Sequence, residues 1–335
     1  MPALAVSPDG RRLAAGLRGG DVRLRDARTL RLQGELPGIE GDAVLAVEFS
    51  PDGRTMAVTG SGGSVELRVA RSGRRIRPPL PGVRSGLGAA RGPNWAPPPS
   101  NDAQALDFSP DGDRLAVADL LGNIRLLDLS SGRVHDGPQL PTGALSLSFS
   151  PDGKLLAIAL ADLGTELRDS RSLRVVARLS DSAGGDADRG VRFSPDGRLL
   201  AVTSFLGYTQ LWDVASRRRA GRRLTGHEGG VLGAEFSPDG RTLATSGGDG
   251  TAILWDVASL RALGTLPGPL GWVTARFTPD GRQLFVLRDS GDAERWEVDP
   301  DAWSEHACRV AGRELTRAEW SEFVTDQDYR HVCGS

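Results

Sequence analysis

Residues 226–259, GHEGGVLGAEFSPDGRTLATSGGDGTAILWDVAS, decide the fold of the chain. They contain an alternating apolar run at 231–236, a turn at 237–240, a second run at 242–246, a glycine-rich turn, and a third run that ends at Trp255 and Asp256. Short alternating runs separated by Pro, Gly and Asp are typical of β-strands joined by tight turns. The stretch therefore predicts three neighbouring strands of one small sheet.

The turn sequence Ser-Pro-Asp-Gly recurs along the whole chain. It begins at Ser7, Ser50, Ser109, Ser150, Ser194 and Ser237, and a Thr-Pro-Asp-Gly variant begins at Thr278. Successive turns are 43, 59, 41, 44, 43 and 41 residues apart, so one interval carries an insertion. Pro fixes φ, Asp bonds back to its own backbone, and Gly takes the positive φ that closes the hairpin. We interpret the tetrapeptide as a folding device and not as an active site.

The order Gly-His, Ser-Pro-Asp-Gly and Trp-Asp within about forty residues resembles one blade of a WD-repeat β-propeller. In that family four polar residues of a blade form a hydrogen-bonded tetrad, and the matching residues here are His227, Thr245, Asp249 and Trp255. The resemblance implies that Asp249 accepts from His227 and that the Thr245 hydroxyl links His227 to the indole. It assigns these residues a structural role and argues against a catalytic one.

Seven repeats predict an all-β fold, a seven-bladed WD-repeat propeller over residues 1–298 with a short helical C-terminal tail over 299–335. Only the sixth repeat has the full tetrad. In the first four repeats the Trp position holds Arg25, Arg68, Leu127 and Arg168. We expect apolar stacking between sheets, at roughly 25 cal/mol per Å² of buried surface, to stabilise the other blades.

Closure of the ring is left open by the sequence. WD-repeat propellers are commonly closed by a strand from one terminus that completes the blade formed by the other, but only six residues precede Ser7 here. The usual N-terminal closing strand is therefore not apparent. Two interpretations follow: the chain is the C-terminal part of a longer protein, which we favour, or the last blade is closed in another way.

About thirty residues near the C-terminus resemble a tail that follows WD-repeat arrays in large actinobacterial proteins. Those proteins are signal-transduction ATPases of the STAND class and related multidomain regulators. In those proteins the propeller is a C-terminal sensor or docking module. The matching positions are Trp303, Cys308, Arg309, Gly312, Leu315, Thr316, Glu319, Trp320, Tyr329 and Cys333. Thr316 and Glu319 have the spacing of a capping box. No glycine-rich loop ending in Gly-Lys-Ser/Thr occurs in this chain.

The two cysteines lie in matching tripeptides at the end of the chain, His306-Ala307-Cys308 and His331-Val332-Cys333. Two His and two Cys are a possible zinc ligand set. However, residues two apart on a helix point in nearly opposite directions. A contact between Cys308 and Cys333, as thiols or as a disulfide, is the interpretation that we favour, and no metal or cofactor is predicted.

Two regions are candidates for partner contact. The long interval at 71–104 is rich in Arg and holds Trp95 before a run of prolines. It is either a contact arm for an acidic or aromatic partner or a tolerated surface insertion with Trp95 packed against a blade. The turns between the second and third strands of repeats three to five are apolar, which predicts a protein-contact surface. Its residues are Leu120, Leu121, Leu163, Phe205, Leu206 and Tyr208. Alternatively, Leu121 and Leu206, at the tetrad Asp position, fold inward.

Composition narrows the class of partner. The net charge is −2, which gives no general attraction to nucleic acid or to anionic membranes. No apolar run approaches the eighteen or so residues of a membrane span, and no signal-peptide pattern is visible. Two cysteines in 335 residues are typical of a cytoplasmic protein.

The sequence thus predicts a non-catalytic protein-interaction scaffold, the sensor or docking module of a larger bacterial signalling protein. Its expected partners are proteins, among them an upstream ATPase or kinase domain of the same polypeptide. The alternative is a propeller associated with a hydrolase of the TolB or prolyl-oligopeptidase type, in which similar turns occur. The Trp-Asp endings and the tetrad favour the scaffold, and the chain has no nucleophile-elbow motif.

Overall fold

Seven antiparallel sheets, one for each Ser-Pro-Asp-Gly or Thr-Pro-Asp-Gly turn, make up the computed structural model. It describes residues 3–17, 19–37, 43–60, 65–76, 105–161, 163–179, 188–299 and 316–317. The innermost strands contact one another in a cycle that runs through all seven sheets and returns to the first. The expected seven-bladed, all-β propeller is confirmed.

The blades follow one another in chain order. Blade one consists of β1 (Ala3–Val6), β2 (Arg12–Gly16), β3 (Val22–Asp26) and β4 (Leu32–Leu36). Blade two consists of β5 (Val44–Phe49), β6 (Thr55–Gly60) and β7 (Val65–Val69). Blade three consists of β8 (Ala105–Phe108), β9 (Arg114–Ala118), β10 (Ile124–Asp128) and β11 (Val134–Asp136). Blade four consists of β12 (Ala144–Phe149), β13 (Leu155–Leu160), β14 (Gly164–Asp169) and β15 (Val175–Leu179).

The remaining three blades differ at their outer edges. Blade five consists of β16 (Asp188–Phe193), β17 (Leu199–Ser204), β18 (Tyr208–Asp213) and two short outer strands, β19 (Arg218–Arg219) and β20 (Leu224–Thr225). Blade six consists of β21 (Val231–Phe236), β22 (Thr242–Gly247), β23 (Ala252–Asp256) and β24 (Ala262–Leu266). Blade seven consists of β25 (Val273–Phe277), β26 (Gln283–Arg288) and β27 (Ala293–Glu297).

The first turn of each blade is held by its own side chains. In blade six the Ser237 hydroxyl donates to the Asp239 carboxylate at 2.6 Å, and the Thr242 amide donates to Ser237 Oγ at 2.9 Å. Gly240 takes a φ of 72°, which a residue with a side chain rarely adopts. The repeated tetrapeptide therefore specifies each hairpin locally, as the sequence predicts.

These seven turns also contact one another around the ring. A Cβ on Gly53 would lie 3.5 Å from Cδ of Pro8 in the preceding blade. The same relationship joins Gly112 to Pro51, Gly153 to Pro110, Gly197 to Pro151, Gly240 to Pro195, and Gly281 to Pro238. It also joins Gly10 of blade one to Pro279 of blade seven, so the last turn meets the first.

Apolar packing between neighbouring sheets forms the core. The buried apolar residues fall into seven clusters, and each cluster combines side chains from two adjacent blades. The cluster between blades seven and one contains Leu4, Leu13, Phe285 and Leu287. No single sheet could bury these side chains alone, and at about 25 cal/mol per Å² their burial drives the stacking of the blades.

The ring is closed by that packing. Within the described residues, β27 is the outermost strand of blade seven and has no strand paired on its outer side. Besides the apolar cluster, Arg295 Nη1 donates to the carbonyl oxygen of Arg28 in blade one. Sheet packing, turn contacts and this hydrogen bond join the first blade to the last.

Two blades that lack the tetrad contain buried ion pairs instead. Arg68 and Arg168, at the Trp position, lie 2.5 Å and 2.6 Å from Glu66 and Glu166, and all four side chains are buried. The expectation that blades without the tetrad rely mainly on apolar stacking is therefore incomplete. Alternating Glu and Arg in a strand suggest a face exposed to solvent. Here, however, Arg68 also donates to the carbonyl oxygen of Gly73, and Arg168 to that of Leu173, in the turn that follows each strand.

Several predictions concern residues outside the described ranges. They are Trp95 and the helical tail with Trp303, His306, Cys308, Trp320, Tyr329, His331 and Cys333; of the predicted tail only Asp299, Thr316 and Arg317 are described. Within the described ranges, no helix has the length and apolar character needed to cross a membrane.

Candidate interaction face and central channel

The propeller has two different faces. The Ser-Pro-Asp-Gly turns lie on one face, together with the turns that follow the third strands. The turns between second and third strands, and the connections between blades, lie on the other, which we call the loop face. This division follows from the antiparallel order of strands in each blade.

The four residues of the predicted tetrad lie together in blade six. Trp255 Nε1 donates to Thr245 Oγ1 at 2.9 Å, and Thr245 Oγ1 is 2.8 Å from Nε2 of His227. His227 Nδ1 is 3.1 Å from a carboxylate oxygen of Asp249. Burial lowers the pKa of His227, and the nearby charge of Asp249 only partly opposes this effect. A neutral imidazole with its proton on Nδ1 completes the chain from indole to hydroxyl to imidazole to carboxylate.

Thr251 is a fifth member that sequence reasoning missed. Its hydroxyl donates to Asp249 Oδ1 at 2.8 Å and its amide donates to the same oxygen at 2.9 Å. The amide of Glu228 donates to the other oxygen at 2.8 Å. Burial alone would raise the pKa of Asp249, but these hydrogen bonds lower it. The Thr two residues after Asp249, in Asp-Gly-Thr, was the available signal.

Most of the predicted contact residues are exposed at the loop face. Leu206 is 68 % exposed, and Leu121, Leu163 and Phe205 are each about half exposed. The alternative in which Leu121 and Leu206 fold inward therefore does not describe this structure. The turns that carry these side chains belong to three consecutive blades, three to five.

Two of the predicted contact residues are placed differently. Tyr208 is only 8 % exposed, because it is the first residue of β18, pairs with Thr225 of β20, and is covered by the guanidinium of Arg223 at 4.0 Å from the ring centre. The prediction that Tyr208 is an exposed tip residue is wrong. Leu120 is half-buried. Its backbone packs so closely on Gly143 that a Cβ on Gly143 would clash with the carbonyl oxygen of Leu120.

Sequence reasoning also missed two exposed apolar residues on the loop face. Leu270, which is 88 % exposed, and Trp272 lie in the connection between β24 and β25. Within this connection, Gly271 forms an isolated parallel β-bridge with Asp249. Apolar residues flanked by Gly and Pro between two strands were the available signal. We call the exposed apolar residues of the loop face the apolar tip surface; they are Leu121, Leu163, Phe205, Leu206, Leu270 and Trp272.

Among the residues that the structure describes, the apolar tip surface has no counterpart on the opposite face. In the described part of the chain, the other large exposed apolar side chains lie on or beside the outermost strands, at Leu32, Ile76, Val134, Val175, Val176 and Leu263. On the loop face, the guanidinium of Arg189 lies 4.8 Å from the ring centre of Phe205. The apolar tips are therefore accompanied by positive charge in blade five.

Near the Ser-Pro-Asp-Gly face, each innermost strand contributes one residue to the lining of the central channel. In each strand this is the residue immediately before the last apolar residue of the strand. These residues are Ala5, Glu48, Asp107, Ser148, Arg192, Glu235 and Arg276. Asp107 accepts a hydrogen bond from the amide of Phe149 in the next blade at 2.6 Å. Arg192 of blade five is 3.3 Å from Glu235 of blade six and 3.9 Å from Glu48 of blade two. The Arg192 side chain thus lies between blades that are not neighbours.

A family model for the WD domain, G-beta repeat, matches residues 30–67 and 219–256. The second match contains the complete tetrad of blade six, and each match runs from an outermost strand region to the third strand of the next blade. The protein is a seven-bladed β-propeller with WD repeats. No curated protein matches the chain.

The channel of this WD-repeat propeller contains two carboxyl groups whose pKa is raised, those of Asp107 and Glu48. Burial raises the pKa of Asp107 to about 7, and the neighbouring charge of Glu48 acts in the same direction. Burial likewise raises the pKa of Glu48, against the attraction of Arg192 and Arg276. Among the described residues, no three His, Cys, Asp or Glu side chains are placed to hold a metal ion.

Proposed function

We propose that this WD-repeat propeller is a non-catalytic docking module that binds a protein partner on its loop face. The observation that carries the proposal is the apolar tip surface, which groups six large apolar side chains on one face. A WD-repeat propeller is a fold consistent with a protein-interaction scaffold. Large apolar side chains that stay in water in the free protein are typical of interaction surfaces.

Blade five contributes the strongest anchors to this surface. Burying a Phe or Leu side chain fully stabilises a complex by about 1.5–3 kcal/mol. Phe205 and Leu206 are therefore expected to dominate the binding energy. Since Arg189 lies over the Phe205 ring, the proposed partner presents apolar side chains flanked by carboxylates.

The non-catalytic character is supported by how the most reactive residue types are used. Both ring nitrogens of His227 have hydrogen-bond partners within the tetrad, and Asp249 accepts from its neighbours through both oxygens. A general base needs a free nitrogen or oxygen that faces a substrate. These groups instead hold a turn of blade six in place.

We further propose that the propeller acts in the cytoplasm as the sensor or docking part of a larger bacterial signalling protein. The support is the resemblance of residues 303–333 to the tail of WD-repeat arrays in STAND-class ATPases and related regulators. On this proposal, the partner is an ATPase or kinase domain of the same polypeptide or a separate protein that signals through it.

Affinity capture with matched variants tests the docking proposal. Phe205→Asp combined with Leu206→Asp places two charges in the apolar tip surface. Val175→Asp combined with Leu263→Asp places the same charges at similarly exposed positions of the outermost strands. The proposal predicts that a captured partner is lost with the first pair and retained with the second. Retention of every partner by the first pair would contradict it.

A further inference from the structure

We propose that the mouth of the central channel is a binding site for a small zwitterion, in which Glu48 takes the ammonium group and Arg276 takes the carboxylate. The ligand class is an α-amino acid or a compound with the same two charged groups. This site lies on the Ser-Pro-Asp-Gly side of the channel and is independent of the apolar tip surface.

A cavity at this mouth provides the space. It has a volume of about 220 Å³ and is lined by Ala5, Glu48, Arg192, Glu235 and Arg276, with Pro and Phe side chains as walls. It is smaller than the roughly 300–1,000 Å³ of pockets for drug-sized ligands, so the cavity suits a small molecule.

The gap between the two proposed binding groups has a structural origin. Arg276, Ala5 and Glu48 come from blades seven, one and two, which are consecutive in the ring. Ala5, which is largely buried against blade two, contributes no charged group between the guanidinium of Arg276 and the carboxylate of Glu48. A ligand seated over Ala5 therefore has a positive group on one side and a negative group on the other.

The ion pairs around this cavity are loose. The distances are 3.3 Å from Arg192 to Glu235, 3.8 Å from Arg276 to Glu235, and 3.9 Å from Arg192 to Glu48. None of these three contacts is a hydrogen bond. The buried pairs within blades two and four are at 2.5 Å and 2.6 Å. The same fold thus builds close ion pairs where they are structural, and the channel groups keep hydrogen-bonding capacity for another molecule.

Glu48 and Arg276 have most of that capacity. In the described part of the chain, the one ion pair of Glu48 is the 3.9 Å contact with Arg192. Arg276 donates one hydrogen bond, at 3.0 Å, to the carbonyl of its own neighbour Ala275. A guanidinium has five N–H donors and binds carboxylates through two of them at once. Glu235 Oε2 is buried and also has no hydrogen-bond partner among the described residues.

A ligand with charges of both signs fits this ring better than a simple ion. A lone anion would face the carboxyl groups of Glu48, Asp107 and Glu235. A lone cation would face the guanidinium groups of Arg192 and Arg276. A zwitterion places each of its charges next to the opposite charge, and the enclosed site strengthens both contacts.

Proton release gives the site a second signature. The charged groups that face Glu48 are Asp107, Arg192, Glu235 and Arg276, and burial raises the pKa of Glu48 despite the two arginines. An ammonium group beside Glu48 favours its ionised form. Binding is therefore expected to release protons and to become tighter as the pH rises through the titration of this carboxyl.

Isothermal titration calorimetry on the full chain tests the proposal. The probes are glycine, L-alanine, L-serine and L-proline at millimolar concentrations, compared with propionate and ethylamine, which each lack one of the two charged groups. We expect at least one amino acid to bind at least about tenfold more tightly than either analogue, because each analogue lacks one of the two charge-assisted hydrogen bonds. Failure of all four amino acids to bind, or equal binding of the analogues, would overturn the proposal.

Variants then locate the site. Glu48→Gln and Arg276→Gln remove one charge each, and Ala5→Leu fills the cavity without changing charge; each is expected to weaken binding at least about tenfold. Glu35→Gln, in the exposed pair with Arg23, is the matched control that leaves binding unchanged. Binding that survives Ala5→Leu in a folded protein would place the ligand elsewhere and overturn the proposal. If a channel variant does not fold, the comparison of amino acids with analogues on the unaltered chain still decides.

Discussion

Gly10 of blade one lies against Pro279 of blade seven, so that a Cβ on Gly10 would come 3.2 Å from the proline Cδ. The residues are 269 positions apart in the chain, yet they repeat a contact that joins every other pair of neighbouring blades. This relationship shows that the ring closes at the level of its turns as well as through its apolar core.

We expect Gly10→Ala to destabilise the propeller by about 1–2 kcal/mol. Gly10 has a φ of 69°, in the left-handed region where a side chain is strained, and the added methyl group would also press on Pro279. Gly34→Ala is the control, because a Cβ at Gly34 meets no atom within 4 Å. Urea denaturation measures the free energy of unfolding of both variants. Equal stability of the two variants would mean that closure does not depend on this turn contact.

Thr245→Val is expected to destabilise the protein by about 2–4 kcal/mol. Val keeps the shape of Thr but removes the hydroxyl between Trp255 and His227, which leaves a buried N–H donor and a buried imidazole nitrogen without partners. Thr265→Val, at an exposed position of β24, is the control and should change stability by less than about 0.5 kcal/mol. Comparable unfolding midpoints for the two variants would contradict a structural role for the tetrad.

Acidification from pH 7 to pH 5 is expected to remove stability through His227. Burial lowers the pKa of His227 in the folded state below its ordinary value of 6.5. The unfolded chain therefore binds more protons below about pH 6.5, and stability falls as the pH falls. His227→Asn should be less stable at pH 7 and should lose less stability between pH 7 and pH 5. The free energy of unfolding at both pH values measures this, and identical slopes for the two proteins would refute it.

Asp107 should have the opposite pH dependence. Its folded-state pKa is raised from 3.8 to about 7 by burial, so the folded protein binds the extra proton. The stability that this proton provides is complete below about pH 4 and is lost as the pH rises through about 7. Asp107→Asn, which can still accept from the Phe149 amide, should reduce the loss of stability between pH 5 and pH 8 by at least about 1 kcal/mol.

Asp136→Asn provides the control for this pH series. Asp136 is an exposed carboxylate on the outermost strand of blade three, where it pairs with Arg125. Its replacement should leave the pH dependence of unfolding close to that of the unaltered chain. If Asp107→Asn behaves in the same way, the carboxyl in the channel is already ionised at pH 5.

The sequence predicts the ring well because its signals are local. Each turn such as Ser237-Pro238-Asp239-Gly240 carries the residues that its own backbone conformation requires, so seven copies predict seven hairpins. The tetrad is also predictable, since its members occupy one blade and one span of about thirty residues. The position of Tyr208 was mispredicted because one residue decides whether a side chain belongs to a turn or to the strand that follows it.

The channel was not predicted because its residues meet only in the closed ring. Glu48 and Arg192 are 144 positions apart, and neither is unusual within its own strand. The buried ion pairs Glu66–Arg68 and Glu166–Arg168 were not predicted from the sequence for a related reason. A charged strand residue reads as exposed until the neighbouring blade and the following turn cover it.

Partner binding by single variants of blade six and of blade five tests the central claim most directly. Leu206→Asp charges the apolar tip surface, and Leu263→Asp charges an exposed leucine on the outermost strand β24. With a captured partner, the account predicts that Leu206→Asp raises the Kd at least about tenfold and that Leu263→Asp changes it less than about twofold. Unchanged affinity for Leu206→Asp, or equal loss in both variants, would contradict the assignment of the loop face as the docking surface.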